Sequence, residues 1–278
     1  MILSFHPCYT ADRNILCAGR DPETEELAAI KEARAVILPQ GCREALYRMA
    51  KENCPYVFPN YEVRFQFPGK TGQLHLFQKT GTPHPGSRIF FSVEDFMRQY
   101  PEGRFPFKFP FVFKRDWGGE GEGVFLVDFP AKLKEVLNEQ TRFESGEKSP
   151  FILQEYVPSQ NRSLRVVIVN KSVVSYWRVQ NALNSFLTNL SAGADIDADS
   201  DPSIQQSGIR SVLNFCETTG INLAGFDVLF SQGDPAQPLL LEINYIFGRK
   251  GLGGSEKYYD LLEKEIDRWL FDLKLFVK

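Results

Sequence analysis

Three polar side chains interrupt the most apolar stretches near the C-terminus. Asp227 lies in LAGFDVLF, and Glu242 and Asn244 lie in PLLLEINY. Charge buried in such runs is costly unless something compensates it. On a strand, Glu242 and Asn244 face the same side. If the Asp227 strand lies alongside, three oxygen donors converge, the hard donor set that suits a divalent cation shared with phosphate and water. Polar ends protruding at a sheet edge would satisfy the same spacing.

A second group surrounds Lys114, which ends FPFVFK and runs into RDWGGEGEG before the chain returns as VFLVDF. Gly118, Gly119, Gly121 and Gly123 give this loop bare backbone. A lysine beside such amides can neutralise phosphate oxygens while the main chain approaches closely. The segment is not the GxxxxGK[ST] phosphate loop, and an ordinary hairpin loop fits the local pattern as well. In FILQEYV, the strand ends in Gln154, Glu155 and Tyr156. Peptide groups there could meet the edge of an adenine, and the Glu155 carboxylate a ribose hydroxyl. A strand leaving the core for solvent explains this segment equally well. With three histidines and no Ser-His-Asp pattern, no protein nucleophile stands out. His6, in SFHPC, could touch a substrate at a sheet edge, but a satisfied structural histidine is the simpler reading.

The elements that must position these groups follow from periodicity. ILSF, NILCA, AVILP and PYVFP alternate with the helical patterns PETEELAAIKEA and CREALYRMAKENC, which predicts a small, mainly parallel α/β unit. GKTGQLHLFQKT, residues 69–80, reads as a helix leading away from it, and GTPHPGS marks a boundary near Pro83. Beyond lie the strands RIFFS and FPFVFKR, with SVEDFMRQY as a short helix capped by Ser92. The glycine loop between FPFVFK and VFLVDF reads as a mobile flap. After the helix AKLKEVLNEQ come FILQEYV, SLRVVIV and SVVSYWRV, the last two joined by a tight turn at NK in an antiparallel hairpin. SAGADIDADSDPS reads as an acidic turn region. IQQSGIRSVLNFCETTG is a helix ending at Gly220, and SEKYYDLLEKEIDRWLFDL is an amphipathic closing helix.

Composition narrows the class. With 43% hydrophobic and 24% charged residues in 278, the chain is an ordinary globular one. A net charge of -3 offers no broad positive field for a nucleic-acid backbone, so no nucleic-acid partner is expected. The opening MILSFHPCYTADRN is too short in apolar residues for a secretory or membrane-spanning segment, so a cytoplasmic protein without a membrane partner is expected. Cys8, Cys17, Cys42, Cys54 and Cys216, an odd and scattered set, read as reduced thiols. A homodimer is the expected assembly.

Taken in order, PGKTGQLHLFQKTGTPHP, FKRDWGGEGEGVFLV, LQEYV, LRVVIVNKSVVSYWRV, NLSAG, GFDVLF and LLLEINYIFGRKG resemble the ATP-grasp ligases, above all the group of ribosomal-protein glutamate ligases and glutathione synthetases. The match runs over about residues 65–250, and its order is more specific than any piece. The resemblance implies an α+β architecture: a pre-ATP-grasp α/β domain over 1–83, then an ATP-grasp domain over 84–278, with a small subdomain at 84–156 and a large one at 157–278. It implies that Lys70 and Lys114 contact phosphates under the 118–123 flap, and that Gln154, Glu155 and Tyr156 form the adenine hinge. Asp227, Glu242 and Asn244 would hold magnesium, or manganese in its place, with Glu242 bridging two ions. Arg165 and Arg178 would face the γ-phosphate and an acyl phosphate, although a surface ion-pair role fits their type too.

The chain departs from the family's pattern on the substrate side. Ser163 stands where an acid is usual, and FLTNLSAGA carries Leu187 and Ser191 around the one fitting residue, Asn189. IFGRKGLGG replaces the usual Pro-Gly after the metal asparagine; Gly248 could keep the turn, and Arg249 or Lys250 could bind an anionic substrate. The implied reaction is an ATP-dependent ligation. A small-molecule or peptide carboxylate is activated as an acyl phosphate and attacked by an amine or similar nucleophile, with release of ADP and phosphate. A small-molecule kinase on the same scaffold and a nucleotide-binding module without turnover remain alternatives.

Overall fold

The computed structural model describes residues 1–101, 104–118, 121–144, 149–182, 187–188 and 190–275. The N-terminal part runs β1 (Ile2–Ser4), β2 (Arg13–Asn14), α1 (Thr24–Glu32), β3 (Ala35–Ile37), α2 (Glu44–Asn53), β4 (Val57–Phe58) and α3 (Glu62–Gln66). Its strands pair in parallel in the order β2-β1-β3-β4. Such pairing demands crossovers, and α1 and α2 supply two of them. Leu3 and Val36 pack on one face of the sheet with Ala29, Ile30, Leu46 and Tyr47.

Helix α4 (Gly69–Thr80) then leads to a four-stranded antiparallel sheet of β5 (Ser87–Phe90), β6 (Phe111–Arg115), β7 (Val124–Val127) and β8 (Phe151–Glu155), in the order β5-β8-β6-β7. Two helices, α5 (Val93–Gln99) and α6 (Pro130–Phe143), contribute Phe96, Leu133 and Val136 to a core with Phe111, Phe113, Phe151 and Leu153. The sheet's alternation puts Val112, Lys114 and Gln154 on the opposite side, along a cleft. Ser92 caps α5 as expected, its side chain accepting from the Asp95 N–H at 3.1 Å.

The third sheet has five strands, β9 (Arg162–Val169), β10 (Ser172–Val179), β11 (Asp195–Asp197), β12 (Leu223–Phe230) and β13 (Pro238–Asn244), ordered β11-β10-β9-β12-β13 and antiparallel throughout. The NK turn forms as expected, with Asn170 at φ +51. The acidic run after residue 191 differs from expectation: Asp195–Asp197 form a short edge strand on β10. Helix α7 (Pro202–Thr219) ends at Gly220 in the left-handed conformation and packs Val212 and Phe215 against Leu164, Val166 and Phe226. The other face of this sheet is divided. Helix α8 (Ser255–Asp272) covers one end, where Tyr258, Leu262 and Ile266 meet Val167, Val169 and Leu223, and its far side reaches Ala35 and Ile37 of the parallel sheet. Beyond α8 the same face turns polar, and there it lines the cleft.

Candidate functional site

The cleft has a volume of about 230 Å3 between the inner faces of the two antiparallel sheets. Strand parity explains its lining. Arg165 shares a face with Val167, and on β12 Asp227 alternates with the core residues Phe226 and Val228. The register places Asp227 opposite Glu242 and Tyr176 opposite Arg165. A β-bulge follows directly: Val228 pairs with Leu240, so Leu241 is the extra residue.

Of the residues singled out in the sequence, Lys70, Lys114, Gly121, Gln154, Glu155, Tyr156, Arg165, Arg178, Asp227, Glu242 and Asn244 all line this cleft. Gly119 and Asn189 lie outside the described residues. Gly118 and Gly123 are not in the wall. Gly118, at φ +96, packs on the Glu122 carbonyl, and Gly123, at φ +72, packs on the Arg115 side chain. They serve the path of the loop, because side chains are strained in that conformation.

The two arginines do not project freely. Arg165 Nε and Arg178 Nη2 converge on one oxygen, Asp227 Oδ1, at 2.7 and 2.8 Å, and all three side chains are buried. Burial raises the Asp227 pKa, but the two guanidiniums outweigh it and hold the carboxyl below its usual value. Arg178 also donates to Ser163 Oγ at 2.9 Å, and Ser163 shares a 2.7 Å hydrogen bond with Thr188. In the sequence Ser163 stands out only as a departure from the expected acid. It anchors both Arg178 and the 187–188 segment of the cleft wall.

Glu242 is different. Among the described residues its carboxylate has no ion pair or hydrogen bond, and burial followed by the nearby Asp227 raises its pKa, with Lys114 and Lys70 opposing. Lys114 is buried, whereas Glu242 is half-buried; desolvation brings the lysine's ammonium down to about 8, with Glu242 acting in the opposite direction. Lys70 donates to the carbonyls of Gly118 at 2.7 Å and Trp117 at 3.3 Å, which ties it to the glycine loop. A half-buried carboxylate without a protein partner among the described residues, beside a second carboxylate and the Asn244 amide, fits a divalent cation. Among the described residues no cluster of three or more His, Cys, Asp or Glu could hold a metal. The fitting set is two carboxylates and an amide.

At the other wall, Glu155 donates its N–H to Gly86 at 2.7 Å, and its carboxylate lies against Gly86. The chain then leaves the ladder, so the peptide groups of Tyr156 and Val157 run along the cleft outside strand pairing. Ile246, Phe247 and Gly248 also line the cleft. Next to them Arg249 stacks on Tyr258 and Tyr259, 5.0 and 4.5 Å from the ring centres, and among the described residues it has no acidic partner. His6 is close by. Its Nδ1 accepts the Cys8 N–H at 3.1 Å, and burial followed by Arg249 lowers its pKa to about 4. The ring is therefore neutral at pH 7, as a structural histidine would be.

Comparison with known proteins agrees with this architecture. The family model described as a RimK-like ATP-grasp domain matches residues 69–269. An uncharacterized protein of Mycoplasma pneumoniae is 29% identical over 127 residues, 45% of this chain and 40% of that protein. A probable alpha-L-glutamate ligase of Nitrosococcus oceani is 27% identical over 167 residues, 57% of this chain and 52% of the relative. The chain thus spans about half the length of the curated relatives it matches. Among solved structures, the RimK-domain ATP-grasp protein of Sphaerobacter thermophilus superposes with a TM-score of 0.60 at 14% identity, over 95% of this chain and 98% of the other. Among the described residues, no helix is long and apolar enough to cross a membrane.

Proposed function

The chain belongs to the RimK-like ATP-grasp family, and from that premise we propose that it is an ATP- and magnesium-dependent ligase joining a carboxylate to an amine or similar nucleophile. The observation that carries this reading is Glu242, a half-buried carboxylate without a protein partner among the described residues that faces Asp227 across the strand pair and lies in the field of Lys114 and Lys70. When bound, ATP would supply the phosphoryl group that activates the substrate carboxylate as an acyl phosphate, leaving as ADP, and magnesium would neutralise the phosphate charge.

The chain's own residues bind and orient. Lys114 and Lys70 neutralise phosphate oxygens, while Asp227, Glu242 and Asn244 offer the metal donors. Arg165 and Arg178 stand beside those donors, where charge develops during transfer. Peptide groups around Glu155 and Tyr156 face the adenine. Arg249, stacked on two tyrosines and lacking an acidic partner among the described residues, supports recognition of an anionic group on the substrate. The division at residue 83 belongs to the same reading, with Lys70 of the 1–83 part lining the cleft on its phosphate side.

The test is a screen of amino acids and short peptides, with Mg2+ and ATP, for ADP release, followed by mass spectrometry of the product. A condensed amide formed only when carboxylate and amine are both present is the expected result. A stable phosphate monoester would make the chain a kinase. Tight ATP binding with no ADP release from any substrate pair would leave a binding module.

A further inference from the structure

Strand β13 is an edge strand: β12 pairs with one side, and its other side would expose peptide groups. One side chain covers that side at the site. The Ile243 N–H donates to Gln73 Oε1 at 2.8 Å, and Gln73 Nε2 donates back to the Ile243 carbonyl at 2.9 Å. A primary amide has the donor and acceptor of a peptide group in one plane, so Gln73 acts as a single residue of a further strand. Ile243 is the residue between Glu242 and Asn244. Its own side chain is in the apolar core, while its two neighbours line the cleft.

The helix that carries Gln73 is fastened at its start to the phosphate side. The Thr71 N–H donates to Asp116 Oδ1 at 2.7 Å, and Lys70, one turn before Gln73, holds the carbonyls of Trp117 and Gly118. Asp116 is two residues beyond Lys114. Helix α4 therefore spans from the glycine loop to the strand edge between the two candidate metal ligands, and Gln73 is its attachment there. Neither bond touches the Glu242 or Asn244 side chain; the link is through the backbone from which both project.

We infer that Gln73 is a positioning residue for the divalent cation, setting where Glu242 and Asn244 stand relative to Lys70 and Lys114. This rests on the reading that Glu242 and Asn244 hold that ion. Supports one step behind metal ligands typically contribute 10–100-fold in metal affinity. A simple structural tie would instead weaken every property of the cleft together.

The experiment is Gln73→Met, which keeps length and loses both bonds, with Gln73→Glu, which keeps an acceptor for the Ile243 N–H and loses the donor. Mn2+ binding is followed by electron paramagnetic resonance with a non-hydrolysable ATP analogue, and analogue binding is measured separately in EDTA. For Gln73→Met the expected result is Mn2+ affinity lower by about tenfold or more, with metal-free analogue affinity within about twofold of the unsubstituted protein, and a smaller loss for Gln73→Glu. Equal losses in both measurements, or Mn2+ affinity unchanged in Gln73→Met, would overturn the assignment. Should Gln73→Met not fold, Gln73→Glu decides by the same comparison. If the unsubstituted protein binds the analogue but no Mn2+, the metal reading fails and the positioning role goes with it; a failure confined to the variants' expected pattern removes the role of Gln73 alone.

Discussion

Arg165 grips Asp227 from the neighbouring strand, Nε to Oδ1 at 2.7 Å, inside a sheet face where both side chains are buried. Arg178 reaches the same oxygen at 2.8 Å. Asp227 is therefore the counter-ion of two guanidiniums as well as a candidate ligand, and its replacement has two consequences. Asp227→Asn leaves both cations without their anion. Breaking a buried pair in this way costs about 3–5 kcal/mol, a fall in Tm on the order of 10 °C for a chain of this size. Glu242→Gln removes a carboxylate with no partner of its own, so Tm should hold or rise while Mn2+ and ATP-analogue binding fall. Thermal melts of the two variants check this. An equal loss of Tm in both would mean that the Asp227 pairing contributes nothing particular.

Lys114 sets a pH dependence. Desolvation lowers its pKa from 10.5 to about 8, with Glu242 opposing. Between those values the folded chain holds fewer protons than the unfolded chain, so this group's contribution to stability rises with pH across that window. It is least favourable below pH 8, where an ammonium must stay buried. For nucleotide the sign is reversed, because only the ammonium neutralises phosphate. ATP affinity should be level up to about pH 8 and then fall, approaching tenfold per unit. Calorimetry at pH 8 in buffers of different ionisation enthalpy should record proton uptake on binding. Lys114→Met should bind ATP more weakly at pH 7 and lose both the uptake and the slope; a slope that survives would assign it to another group.

Much of this arrangement was legible because it is periodic. The alternation in SLRVVIV and the two-residue spacing in LLLEIN place Arg165, Glu242 and Asn244 on defined faces, and Ser92 and Gly220 mark helix ends by local hydrogen bonding and backbone conformation. What escaped depends on distant partners. Nothing near Asp227 in the sequence announces Arg165, 62 positions away. The strand Asp195–Asp197 exists because β10 offers an edge to pair with; its own acidic composition argues for a turn. Gln73 is an unremarkable residue for a helix, and only the edge of β13 gives its amide a role. The glycine loop was legible as a loop, but which glycines face the cleft follows from the loop's fold: Gly121 does, whereas Gly118 and Gly123 satisfy positive φ and close packing.

Ser163 carries a third prediction. Its hydroxyl accepts from Arg178 and shares a hydrogen bond with Thr188, so Ser163→Ala deprives a buried guanidinium of one acceptor and removes the tie from Thr188 to β9, while the Leu187 carbonyl keeps its bond from Gln180. The loss should be about 1.5–3 kcal/mol, the range for a bond to a charged group. Hydrogen exchange should quicken in a peptide covering Thr188 and remain unchanged in β12. Protection that stays the same at Thr188 would show that the segment is held by other contacts.

Gly251 carries the fourth. A Cβ there would stand 2.1 Å from Cζ and 2.3 Å from Cε1 of Tyr176, a ring only 2% exposed. Tyr176 is the cross-strand neighbour of Arg165 and lines the cleft. Gly251→Ala must therefore move either the turn before α8 or the tyrosine, and the tyrosine's movement reaches the Arg165–Asp227 pair. Overpacking of this kind costs about 1–3 kcal/mol, and ATP affinity should fall with it. The cause can be isolated by a double-mutant cycle. In a Tyr176→Ala background the clash is gone, so adding Gly251→Ala should cost little stability and no further affinity. If the penalty of Gly251→Ala is the same in both backgrounds, its origin is the backbone of the turn and not the tyrosine.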